Sequence, residues 1–200
     1  MHLKPLLVLA SSSPRRRRLL EQLGLRFVVR PSDTEEVVPE GVSPETVVQA
    51  LAREKAEAVA PAYPDALTLG ADTIVVLDGE VLGKPADAAE AHAMLRRLSG
   101  NTHTVYTGIA LVHPASNRNV TAFEATRVTF APLTDDEIAA YVATGSPLDK
   151  AGAYGIQDDH GALFIPRIEG DFFTVMGLPL HRLYRVLRTE FADLMEENPD

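Results

Sequence analysis

The chain has 200 residues, 46% hydrophobic and 24% charged, enough to bury a core in one globular domain or one domain with two lobes. Its net charge of −9 argues against nucleic acid as a main partner, because polyanion binders carry net positive faces. The absence of cysteine excludes disulfides, thiolate catalysis and zinc–thiolate sites and fits a reducing cytoplasm; no apolar run approaches the ~20 residues that span a bilayer.

In chain order, Leu6 to Ala10 reads as a buried strand. The turn "SSSP" follows and opens a helix with Ser13 as N-cap, Pro14 at the first helical position, an apolar face of Leu19, Leu20 and Leu23, and Gly24 as the stop. "RFVVRP" predicts a second short strand, and the acidic loop "SDTEEVVPEG" comes next. "SPETVVQALAREKAEAVA" repeats the Ser-Pro cap, and Val48, Leu51, Ala52 and Val59 fall at helical spacing. Lys55 lies on that same stripe, where its ammonium either snorkels out past its stem or enters an anion pocket.

"LTLGADTIVVLDGEVLGKP" predicts a hairpin turning at Asp78-Gly79. Asp87 and Glu90 form a capping-box pattern for a helix that Gly100 ends. "THTVYTGIALVH" and "VTAFEATRVTFAPL" are strands, and Thr134 to Gly145 is a capped helix. After the glycine-rich "DKAGAYGIQDDHG", two strands are expected around Ile168 to Asp171, then a final helix from Pro179 to about Met195 and a frayed acidic tail at about 196–200. Strands and helices mixed with several hairpins indicate an α/β or α+β fold with a mixed central sheet and flanking helices.

Several standard chemistries fail on spacing. "GEVLGKP" has three residues between its glycines and a proline after the lysine, so it is not a Walker-type phosphate loop. There is no G-x-G-x-x-G, H-E-x-x-H or G-x-S-x-G, and the six histidines are scattered without ligand spacing.

What remains is unusual. Arg15 to Arg18 occupy the first turn of a helix, where the macrodipole favours acids, so something anionic is expected opposite them. Serine hydroxyls, helix N–H groups and guanidinium forks together suit phosphate oxygens. A capped surface helix with a basic first turn is the competing reading of this segment. Residues ~100° apart around a helix cannot all face one pocket, so Arg15 and Arg16 are the candidates and Arg17 and Arg18 are read as solvated or paired with surface acids.

Asp72 lies inside an apolar strand, where an unpartnered carboxylate is costly. It is either a structural aspartate held by backbone N–H groups or a carboxylate that holds a hard cation or orients water. Counting back from Asp78-Gly79 pairs Thr73 with Lys84 and sends Asp72 to the other face unless Gly70 or Gly83 makes a bulge.

The segments "LASSSPRR", the acidic Glu35-Glu36, "LAREKA", "LGADTIVVLDGEVLGKP", "AHAMLRRLSGNTHTVYTGIAL", "YVATGSPLDKAGAYGIQ" and "VMGLPL", in this order over nearly the whole chain, resemble the Maf family of nucleoside triphosphate pyrophosphatases. The resemblance implies one Maf-like domain over 1–200 with two lobes around a substrate groove, similar to inosine triphosphate pyrophosphatase. It also implies a homodimer and cleavage of a nucleoside triphosphate into monophosphate and pyrophosphate with a divalent metal such as Mg, Mn or Co. By the same resemblance Ser11, Ser13, Arg16 and Lys55 bind substrate, Lys84 and Glu36 join Asp72 in catalysis, and Glu36 with Asp72 holds the metal. Asp72 resembles the family's proton acceptor.

Three further positions, Arg15, Thr73 and Gln157, resemble the branch that acts on dTTP and UTP. The amide of Gln157 can accept from pyrimidine N3–H while donating to O4, a pairing that cytosine does not satisfy. Two features depart from the family pattern: the run continues to Arg17 and Arg18, and "GIQDDHGALF" carries two acids and a histidine after the glutamine. A nucleotide-binding regulator of division or septum formation with little turnover is the alternative function, and a nucleic-acid binder using the arginines is the least favoured.

Overall fold

A computed structural model describes residues 2–34, 41–157 and 160–196. Its strands are β1 (Leu7–Leu9), β2 (Phe27–Val29), β3 (Leu67–Leu77), β4 (Glu80–Leu82), β5 (Thr102–His113), β6 (Arg118–Thr129) and β7 (Arg167–Glu169). They form a mixed sheet in the order β2-β1-β3-β5-β6-β7, with β4 hairpinned onto β3. β1 is parallel to both β2 and β3, whereas β6 and β7 are antiparallel. The helices are α1 (Pro14–Gln22), α2 (Pro44–Val59), α3 (Ala88–Leu98), α4 (Asp135–Ala143), α5 (Phe172–Met176) and α6 (Leu180–Glu190). None of the described helices is long and apolar enough to cross a membrane.

The chain divides into two compact units. One comprises 1–72, 107–124 and 177–200, and the other 73–106 and 125–176. In the first, α2 lies on β3 and β5 at two glycines. A Cβ at Gly70 would stand 2.1 Å from the Ala52 carbonyl oxygen, and one at Gly108 would stand 2.2 Å from that of Val48. Any side chain there would push the helix off the sheet. The second unit is built on a core in which Leu95, Leu98, Phe130, Ile138, Tyr141 and Phe164 are buried together.

Local signals set most boundaries. Ser13 caps α1 by accepting from Arg16 N–H, Ser43 caps α2, and Thr134 with Glu137 completes a reciprocal capping box on α4. Asp78 (φ 52°) and Gly79 (φ 84°) both take the left-handed conformation that the tight hairpin needs.

Three expectations need correction. Glu90 does not close a box on Asp87, because its carboxylate accepts from the N–H of Ala86, one residue earlier. The β3–β4 register is the one counted back from the turn, with Val75 opposite Leu82, and the ladder ends there, two residues short of Thr73 and Lys84. The second strand expected near Asp171 is the short helix α5, because Asp171 Oδ2 accepts from both Thr174 N–H and its hydroxyl and so starts a helical turn. The final helix ends at Glu190, where Phe191 leaves the helical conformation with its side chain fully buried. Met195 is extended and bridges Leu3, and Glu196, expected in the tail, donates its N–H to His2; 197–200 lie outside the described residues.

Candidate active site

In the first unit, β1 and β3 run parallel with Leu9 opposite Leu69, so the serine turn after β1 and Asp72 emerge at the same end of the pair. Asp72 shares its strand face with Gly70, two residues away, and this is the face that α2 covers. The face of Asp72 is thereby fixed, and strand alternation sends Thr73 to the other side.

α2 then supplies the partner for the buried carboxylate. Lys55 Nζ donates to Asp72 Oδ1 at 2.5 Å, and the two residues are only 7% and 5% exposed. Of the two readings of Lys55, snorkelling is excluded; its ammonium is buried against an anion. Two charges removed from water stay charged only if each compensates the other.

The serine turn is equally ordered. Ser11, also buried, accepts from Ser13 N–H at 3.2 Å and from Arg16 Nη1 at 3.1 Å. Arg16 Nε donates at 2.7 Å to the carbonyl of Gly177, whose φ of 104° suits glycine alone. The backbone of "VMGLPL" therefore aims the Arg16 guanidinium, a role that no local sequence signal announces. Arg17 is spent on Glu21 one turn along, and Arg18 is exposed. Only Arg15 and Arg16 among the four are partly buried.

The second unit carries the remaining candidates. Lys84 is exposed just past β4, Thr73 is half-buried in β3, and Gln157 is half-buried at the end of the glycine-rich segment. Gly152 N–H donates to the carbonyl of Gly83 at 3.0 Å, so the strand exit bearing Lys84 and the segment leading to Gln157 are fastened together. Glu36 lies outside the described residues, as do Asp158 and Asp159. Among the described residues no cluster of three or more His, Asp or Glu side chains forms a metal cage.

The segment before Gln157 rests on an aromatic cluster. His103 Nε2 and Tyr154 Oη are 2.7 Å apart, and both rings meet Phe130 edge-on. Burial lowers the His103 pKa to about 4, so this imidazole is neutral at pH 7, and burial also raises the Tyr154 phenol far above its usual value.

Comparison with known proteins places this arrangement. A dTTP/UTP pyrophosphatase of Salinibacter ruber is 56% identical over 190 residues, covering 95% of this chain and 93% of that protein. One from Moorella thermoacetica is 56% identical over 181 residues, covering 90% and 93%. The solved structure of the Staphylococcus aureus Ham1 protein shares the fold at 16% identity and a TM-score of 0.53, over 92% of this chain and 99% of that one. The family model described as Maf-like protein matches residues 6–190, from β1 to the last residue of α6, and the chain belongs to the Maf family.

Proposed function

We propose that the protein is a nucleoside triphosphate pyrophosphatase that hydrolyses dTTP and UTP to the monophosphate and pyrophosphate. The observation that carries this reading is the buried Lys55–Asp72 pair at the same end of the parallel strands as the Ser11–Arg16 turn, in a chain more than half identical to proteins named dTTP/UTP pyrophosphatase. A phosphate-binding turn and a water-orienting carboxylate are the two parts that phosphoanhydride hydrolysis needs.

In this mechanism the Ser13 and Arg16 donors bind phosphate oxygens, with Ser11 holding the Arg16 guanidinium in place. Asp72 accepts the proton of the attacking water, and Lys55 fixes the orientation of that carboxylate. Lys84 offsets charge on the departing pyrophosphate. Arg15, Thr73 and Gln157 select the base. The hydrogen bond from Lys55 occupies one of the four lone-pair positions of the Asp72 carboxylate, and carboxylate oxygens suit a hard divalent cation. Glu36 with Asp72 would hold Mg²⁺, Mn²⁺ or Co²⁺, which supplies charge neutralisation at phosphate and acidifies bound water. We assign the protein to the cytoplasm, and the assembly as a homodimer, measurable by light scattering.

The test is product analysis after incubation with each metal and dTTP, UTP, CTP, ATP, GTP or 7-methyl-GTP. Monophosphate plus pyrophosphate, fastest from dTTP and UTP, is the expected result. Nucleotide binding without product would support a regulator instead.

A further inference from the structure

The segment 152–157 is held far more firmly than a surface loop requires. Gly152 (φ 69°) packs where a Cβ would stand 3.1 Å from Val75, and its N–H is bound to Gly83. Ala153 has φ 60°, a left-handed conformation that an alanine adopts only when its surroundings impose it. Tyr154 is buried and hydrogen-bonded to His103. The N–H of Gly155 is buried and donates to Tyr141 Oη at 3.1 Å. Gly161 closes over the Gly155 carbonyl so tightly that its Cβ would lie 2.2 Å from that oxygen. Two residues beyond Gly155 comes Gln157, still within the same compact unit.

Strained backbone and buried hydrogen bonds concentrated on six residues are what a site needs when a side chain must be held in one orientation. An amide that distinguishes uracil from cytosine must present oxygen to N3–H and NH₂ to O4, and rotation of its carrier backbone degrades that distinction. We infer that Tyr154, through His103, and Tyr141, through Gly155, are positioning residues that set the orientation of Gln157 and thereby the enzyme's discrimination among pyrimidine bases. Both tyrosines are buried, and each acts through the backbone that carries the glutamine. The inference rests on the pyrophosphatase reading above and adds to it the residues that make base selection possible.

The experiment measures kcat/KM for UTP and for CTP in the wild type and in Tyr154→Phe, Tyr141→Phe, Ala153→Gly and Gln157→Ala. Each tyrosine variant removes one hydroxyl and keeps its ring, and Ala153→Gly relaxes the backbone without removing a hydrogen bond. A loss of folded protein lowers both substrates in proportion and leaves their ratio unchanged. The expected result is a UTP/CTP ratio lowered roughly fivefold or more in the tyrosine variants, toward that of Gln157→Ala, and a smaller drop in Ala153→Gly.

A ratio unchanged in all three scaffold variants, with Gln157→Ala lowering it, would overturn the inference and leave the pyrophosphatase intact. A ratio unchanged in Gln157→Ala would also overturn it, since the glutamine would not read the base. Absence of turnover by the wild type on every nucleotide would instead remove the pyrophosphatase reading and the inference with it. If Tyr154→Phe does not fold, Tyr141→Phe and Ala153→Gly decide.

Discussion

The two compact units bury polar groups in opposite ways. In the first, Lys55 and Asp72 enter the interior as full charges, 2.5 Å apart between α2 and β3. In the second, His103 and Tyr154 are buried and hydrogen-bonded to each other with their rings edge-to-face, and the buried Tyr141 hydroxyl accepts from Gly155 N–H. A buried ion pair seldom stabilises a fold better than an apolar pair of similar volume, so its retention points to chemistry. Neutral hydrogen-bonded aromatics cost less to bury, and they rigidify. On the proposed mechanism the charged interior is the reacting centre and the neutral one a scaffold.

The sharpest way to break this contrast is to remove one charge. Lys55→Met leaves Asp72 buried without its cation, and we expect a loss of about 3–5 kcal/mol in urea unfolding together with loss of turnover. Lys55→Met/Asp72→Leu should regain most of the stability and none of the activity. Stability unchanged in the single variant would mean the pair is not buried as described.

The neutral interior responds to pH. His103 titrates near 4 when folded, below the ordinary 6.5, so the folded state binds fewer protons across that interval. Its contribution is fully present above pH 6.5 and is lost as pH falls from 6.5 toward 4. Between pH 7 and pH 5 this amounts to about 2 kcal/mol, at 1.36 kcal/mol per pKa unit. Urea midpoints at the two pH values should show this drop in the wild type, and His103→Asn should flatten it.

The smallest effect separates the arginines. Arg17→Ala removes an exposed pair with Glu21 and should cost no more than about 0.5 kcal/mol, with turnover unchanged, whereas Arg16→Ala should abolish most turnover. Equal losses in both variants would return the run to a single basic patch.

Where physics is local, the sequence was legible. Ser13, Ser43 and Thr134 cap their helices as their spacing predicts, and Asp78-Gly79 turns the hairpin because both residues tolerate positive φ. The helical stripe of α2 correctly carried Lys55 to the buried face. What spacing could not supply was the partner: the ion pair needs α2 laid across β3 at Gly70, a tertiary fact. The same holds for Arg16, whose orientation depends on a carbonyl 161 positions away, and for the ladder that stops before Thr73 and Lys84. Tyr154 and Tyr141 gave no signal because single tyrosines in apolar stretches resemble ordinary core residues.

The central claim is that Asp72 performs the chemistry and that Lys55 only holds it. Asp72→Asn keeps an oxygen that accepts from Lys55 Nζ while removing the proton acceptor. Pyrophosphate release from dTTP and UTP with saturating Mg²⁺ should fall to background in this variant, in a protein whose circular dichroism matches the wild type. Turnover within tenfold of the wild type, from equally folded protein, would contradict the account.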